Sequence, residues 1–345
     1  MRCPTLAELP PPPPGKTGWP WTEESPQLPD TLPDGSPWPR ISIVTPSYNQ
    51  GRFIEETIRS VLLQGYPDLE YIIIDGGSTD ESVEVIRKYE PWLAYWVSEP
   101  DRGQSHAINK GFGKARGEII AWLNSDDVYL PGTFGKVVSQ FNREQTAGLI
   151  YARARICDQN RFPTGQLVGR KFSIDQLFEG RNPVAQPSAF FRHDCFRRVS
   201  GLNENFHFAM DHDLWIRMGL LSKAIFVDDV WSEFRTHPVA KSSSGRLYFE
   251  EEIYQSVHHI INSKNVPPGL FRERRSVLGT LLLRLAIYSH GHGLDSQGRR
   301  YIFQALRQDL GLIRNWHLFR FFLQCILGRK TILRIKSLGL SNQSQ

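Results

Sequence analysis

Residues 121–132 read AWLNSDDVYLPG, an apolar run that ends in two adjacent acids, Asp126 and Asp127. Crowded carboxylates either raise one another's pKa or take up a cation. No Cys or His lies within ten residues of the pair, so the donors are oxygens and a hard ion, Mn2+ or Mg2+, is the expected guest. Such ions keep water and bridge one or two carboxylates to phosphate oxygens. A solvated acidic turn ahead of a helix at Pro131 is the plain alternative.

The elements around the pair decide between these. ISIVTPSYN (41–49) is a β-branched run ending in a turn, and RFIEETIRSVLLQGYP carries apolar residues at helical spacing. EYIIIDGG reads as a strand, and STDESVEVIRKY as a helix opened by a capping box from Ser78 to Glu81. LAYWVSEPD, SHAINKGFGKAR and EIIAWLN continue the alternation. That order predicts an α/β fold with an open, mostly parallel sheet and helices on both faces. Ligands of such sheets bind beyond the carboxyl ends of the strands. Polar residues gather at four of these ends: Thr45, Tyr48 and Asn49; Asp75; Glu99 and Asp101; and the Asp126–Asp127 pair.

Together ISIVTPSYN, YIIIDGGSTDES, SEPDRGQSHAINKG, LNSDD and AMDHDLWIRM resemble glycosyltransferase family 2, in that family's order, over residues 40–245. The resemblance implies a GT-A fold, an inverting transferase, a UDP- or GDP-sugar donor and a divalent metal. By motif, Thr45, Tyr48 and Asp75 would line the nucleoside pocket, Asp126 would face the ribose or sugar, Asp127 would hold the metal, and Asp211 would be the base. Two positions depart from the pattern: Gly76 replaces a second acid that many members use for base recognition, and Met210 precedes Asp211 where Glu is common.

Glycosyl transfer from a sugar diphosphate needs charge stabilised on the departing diphosphate and a carboxylate to deprotonate the acceptor hydroxyl. Asp211 and Asp213 open a stretch with Leu214, Met218 and Leu221 at helical spacing, where a helix dipole also favours acids. Arg102 could pair with phosphate or with a neighbouring acid. NPVAQPSAFFRHDCF (182–196) is the candidate acceptor segment, through Gln186 and His193, although packing at the core edge accounts for both equally. FRTHPVAKSSS (234–244) resembles the family's late loop, with His237 and Lys241 facing diphosphate or metal. The alternatives are a sugar nucleotidyltransferase, which would want a Gly-rich, basic phosphate loop after the first strand, and a non-catalytic sugar-nucleotide-binding subunit.

Three regions are expected: a Pro-rich, mostly disordered lead-in (1–39), the catalytic domain (40–245, donor half about 40–130 and acceptor half about 131–245), and a basic α-helical C-terminal region (246–345). The net charge of +5 is uneven: residues 261–345 hold 14 Lys and Arg against 3 Asp and Glu, a net +11, leaving −6 for the first 260. A basic, aromatic-rich helical tail, as in NWHLFRFFLQCILGRKTILRIKSLG, suits either an anionic membrane surface or a helical cap with a cationic face. No nucleic-acid partner is expected. Cys3, Cys157, Cys195 and Cys325 are widely separated and the start carries no secretory-type apolar run. Together these point to a reduced, cytoplasmic setting, peripheral to the membrane in the first case.

Overall fold

The computed structural model describes residues 1–238, 245–263 and 266–314. Two compact units form: Met1–Ile174 with Asn182–Ser243, and Asp175–Arg181 with the residues from Ser244 onward. In the first, β1 (Ile41–Ser47), α1 (Gly51–Leu62), β2 (Leu69–Asp75), α2 (Ser82–Lys88), β3 (Tyr95–Ser98), α3 (Gln104–Phe112) and β4 (Ile119–Trp122) alternate as expected. There follow β5 (Val128–Tyr129), α4 (Thr133–Arg143), β6 (Ala147–Cys157), β7 (Pro163–Val168), β8 (Ala189–Arg192), α6 (His193–Arg198), α7 (Met210–Leu221) and β9 (Lys223–Arg235), while α5 (Ile174–Phe178) belongs to the second unit from Asp175 onward.

The sheet runs β3-β2-β1-β4-β8-β6-β9-β5, with β7 on β6. Strands β3, β2, β1 and β4 are parallel neighbours. Beyond β4 the sheet turns mixed, because β8 lies antiparallel to both β4 and β6. Period-two alternation sends the strands' side chains to opposite faces. Ile41, Ile43, Tyr71, Ile73 and Ala121 pack with Ile54, Ile58 and Phe134 from α1 and α4. On the other face Trp122 and Phe191 meet Phe112 of α3 and Trp215 of α7. Every β1 residue is buried, the polar Thr45 and Ser47 included.

The first 39 residues are not the loose lead-in that their proline content suggests. Cys3, Leu9, Trp19 and Trp21 are buried, and the first three join the main core. The extended backbone offers many carbonyls and few N–H groups, and the fully buried Arg59 satisfies three of them: Pro10, Pro20 and Trp21. Composition registered the prolines; the seating comes from the aromatic anchors between them. Gly65 shows how close this contact is. Its φ is +65°, and an added Cβ would lie 2.2 Å from the Pro26 carbonyl oxygen.

The expected capping box at Ser78 is also absent. Ser78 donates to Asp75 instead, and α2 begins at Ser82, whose N–H is accepted by Asp80 Oδ1 at 3.0 Å.

In the second unit the helices Arg246–Ile261, Pro268–Gly291 and Asp295–Gln308 bury Leu282, Leu285, Ala286, Ile302 and Ala305. Arg284 pairs with Glu250 at 2.6 Å. Among the described residues no helix is long and apolar enough to cross a membrane. Lys241, Cys325 and the stretch 315–339 lie outside the described residues.

Candidate active site

β4 ends at Trp122, and a short turn closed by Asp127 N–H on the Asn124 carbonyl (3.0 Å) leads into β5. Asp127 is 1% exposed. Its Oδ1 accepts the Arg235 backbone N–H at 3.0 Å and its Oδ2 the Asn124 side-chain amide at 3.3 Å. Thr57 Oγ1 anchors its carbonyl at 2.8 Å. Burial and the neighbouring Asp126 push the Asp127 carboxyl well up, against the smaller opposing pull of Arg235 and Asn124. Asp126 is more open, its side chain 20% exposed, and its Oδ2 lies 3.0 Å from Nε2 of the buried His237. The site therefore offers carboxylate oxygens and one imidazole, a donor set that suits Mn2+ or Mg2+. No group of three or more His, Cys, Asp or Glu side chains forms a metal cage among the described residues. The residues present fit an ion that takes its other ligands from a bound molecule and water.

Asp211 occupies the first turn of α7. Its Oδ2 accepts from Asn182 Nδ2 at 3.0 Å and its Oδ1 from the His212 backbone N–H at 2.8 Å. Asp213, 3% exposed, is held by Arg217 at 2.8 and 2.6 Å and serves the helix. Met210 is buried, its sulfur receiving the Ser105 hydroxyl at 2.9 Å, so an apolar neighbour of Asp211 is what this packing accepts. Helix α7 is fixed to β4 by the stacked indoles of Trp122 and Trp215, with centroids 5.6 Å apart and planes at 13°. Each indole stands four residues from an acid, Trp122 before Asp126 and Trp215 after Asp211.

The nucleoside-side residues separate. Tyr48 is 61% exposed just past β1. Thr45, by contrast, is fully buried and bonded to Tyr71 Oη at 3.0 Å; strand alternation turns it into the core and away from any ligand. Asp75 stands at the end of β2, where the Gly77 and Ser78 N–H groups and the Ser78 and Ser98 hydroxyls donate to its two oxygens and fix the carboxylate's orientation. Asp101, three residues beyond β3, reaches toward the position of the missing acid: a Cβ on Gly76 would stand 2.8 Å from its Oδ2, the movable end of the side chain, and 3.4 Å from Tyr48 Cδ2. Asp101 is held by the Gly103 N–H at 2.7 Å. Arg102 is 2.6 Å from Glu204 with its side chain 70% exposed, a surface ion pair.

Two acceptor-side expectations also change. Gln186 donates to the Trp122 carbonyl (2.9 Å) and accepts from Asn124 (3.0 Å), so both ends of its amide brace the acid-pair turn. His193 bonds the Gly117 carbonyl at 3.1 Å, and its backbone meets Glu118 at the amino end of β4, the opposite end from Asp126. Burial lowers its pKa. Sequence reading missed Asn124, Asn182 and Arg235 as partners of the acids. Only Asn124, beside the pair, gave a local signal.

The family model of Glycosyl transferase family 2 matches residues 42–224, just over half of the chain. An uncharacterized glycosyltransferase of Mycobacterium tuberculosis is 28% identical over 207 residues, covering 57% of this chain and 76% of that protein. The chondroitin synthase of Pasteurella multocida is 29% identical over 191 residues, 54% of this chain and 19% of that longer protein. Among solved structures, S. aureus TarS 1-349 in complex with UDP-GlcNAc superposes with a TM-score of 0.59 at 16% identity, covering 78% of this chain and 81% of that one. The mannosyltransferase PcManGT from Pyrobaculum calidifontis, in complex with GDP-Man and Mn2+, gives 0.52 at 20% identity over 90% of this chain and 88% of that one. With the alternating sheet and the strand-end acids already in view, these matches settle the assignment: the chain belongs to glycosyl transferase family 2 and is a glycosyltransferase of the GT-A fold.

Proposed function

We propose that this enzyme is metal-dependent and inverting, and moves a sugar from a nucleoside diphosphate sugar to a hydroxyl of a glycan or lipid-linked glycan in cell-surface polysaccharide synthesis. The observation that carries the reading is the Trp122–Trp215 stack, which ties the acid pair and Asp211 to one scaffold. The nucleotide sugars named for TarS and PcManGT, and the Mn2+ of the latter, support the donor class.

In this reading Tyr48, Asp75 and Asp101 face the nucleoside, and Asp126 faces the ribose or sugar. Asp127, with His237 beside the pair, would hold Mn2+ or Mg2+, which supplies charge neutralisation for the departing diphosphate. Asp211 takes the proton of the acceptor hydroxyl as that oxygen attacks opposite the leaving group. Asn182 and the His212 N–H aim its two oxygens. Lys241 remains a candidate phosphate contact. A cytoplasmic placement at an anionic membrane surface fits the net +11 over residues 261–345.

The test measures nucleoside diphosphate release from a panel of UDP- and GDP-sugars, with Mn2+ or with EDTA, for wild type, Asp127→Ala and Asp211→Asn. Release from one donor that EDTA and Asp127→Ala abolish is expected. Asp211→Asn should keep donor binding and lose roughly 100-fold or more in transfer, the size of a missing general base. Turnover indifferent to metal and to both substitutions would refute the proposal.

A further inference from the structure

Arg235, the last residue of β9, is 4% exposed and touches the acid pair twice. Its backbone N–H donates to Asp127 Oδ1 at 3.0 Å and its Nε to the Asp126 carbonyl at 2.7 Å. The rest of the guanidinium donates to the Gln159 carbonyl at 3.0 Å and to Glu56 Oε2 at 2.6 Å, lying 4.8 Å over the Phe53 ring. Glu56 is thus the anion that fixes Arg235. Its other oxygen accepts Trp21 Nε1 at 2.9 Å and Arg161 at 3.0 Å. Arg161 also donates to the Trp19 carbonyl at 2.5 Å and to Glu233 at 2.6 Å. Trp19 in turn donates its Nε1 to the carbonyl of Tyr129, two residues beyond Asp127, at 2.7 Å. The N-terminal segment therefore grips the acid-pair loop from both sides, through Glu56 and Arg235 on one and Tyr129 on the other.

We infer that Arg235 is a positioning residue for the Asp126–Asp127 pair, and that Trp21 of the N-terminal segment sets it through Glu56. Residues 1–39 then belong to the donor site as well as to the fold. The network is almost dry, with Glu56 and Arg235 side chains 10% and 4% exposed, so each lost bond strands a buried polar group. The catalytic meaning of this positioning rests on the function proposed above; its structural meaning does not.

The test compares Trp21→Phe, Glu56→Gln and Trp38→Phe in the full chain. Trp38 is the control: it lies in the same segment and loses one indole bond, to the Pro29 carbonyl at 2.9 Å, outside the network. One readout needs no ligand, namely amide hydrogen exchange across residues 121–130 and 231–238. The other is the donor KM set against kcat. Trp21→Phe and Glu56→Gln should speed exchange in both stretches and raise the donor KM about fivefold, the weight of one hydrogen bond, with kcat nearly unchanged. Trp38→Phe should move neither. Unchanged exchange in Trp21→Phe overturns the inference, and so does an equal effect from Trp38→Phe, which would mean general loosening. If Glu56→Gln fails to fold, Trp21→Phe decides alone, read against Trp38→Phe, which makes the same indole-to-phenyl change outside the network. Should wild type turn over no donor while exchange still separates the variants, the proposed function falls and the positioning of the pair stands.

Discussion

Asp127 is a carboxylate held where a carboxylate is disfavoured, and this has a measurable cost. Burial, then Asp126, raise its pKa. Below the ordinary aspartate value of 3.8 the group is protonated in both folded and unfolded chains and nothing is lost. As pH rises, the unfolded chain releases the proton first, so metal-free stability falls until the folded pKa is passed. Asp127→Asn should remove that fall. Metal-free melts of wild type and Asp127→Asn across pH check this: the wild-type Tm should fall as pH rises above the ordinary aspartate range and the variant's should not, while Mn2+-dependent donor binding is lost in the variant. A wild type whose Tm shows no such fall would mean that the carboxyl is not held against its charge. Residue type and strand-end position were enough to single out Asp126, Asp127 and Asp211. They were not enough for Thr45, whose place on a buried strand face follows from a register that polarity alone does not report.

At the scale of elements, the Pro-rich segment is held by geometry as much as by apolar contact. Gly65 follows α1, and its positive φ and missing Cβ are what let Pro26 lie against it. Gly65→Ala should therefore cost about 1–3 kcal/mol and open residues 1–39 to limited proteolysis before the rest of the chain. Denaturant melts and a timed digest check both, and a variant as protected as wild type would exclude the close seating. The strands and helices from β1 to β4 were legible because their periods lie within short windows. The start of α2 was not, since Ser78 had two possible partners and the loop folded it onto Asp75.

At the scale of the molecule, the charge is divided between an acidic body and a basic tail, and the helical unit leaves Phe271, Phe303 and Leu310 exposed. If this region meets an anionic membrane, the full chain should sediment with phosphatidylserine-containing vesicles at low salt. It should be released at high salt and ignore neutral phosphatidylcholine vesicles. Equal behaviour with both lipids would leave the basic face as a solvated cap. The sequence by itself determined the alternating α/β core, the acids at its strand ends and the family, because these depend on residue type and local period. Only the tertiary structure decided which acids are occupied. It engaged Asp75 in its own loop, put Asp101 where Gly76 leaves room, and joined Arg235 to Asp127 across 108 positions. The physical reason is that a hydrogen bond is chosen by whichever group arrives within 3 Å. For buried polar groups that partner is set by chain segments far apart in sequence.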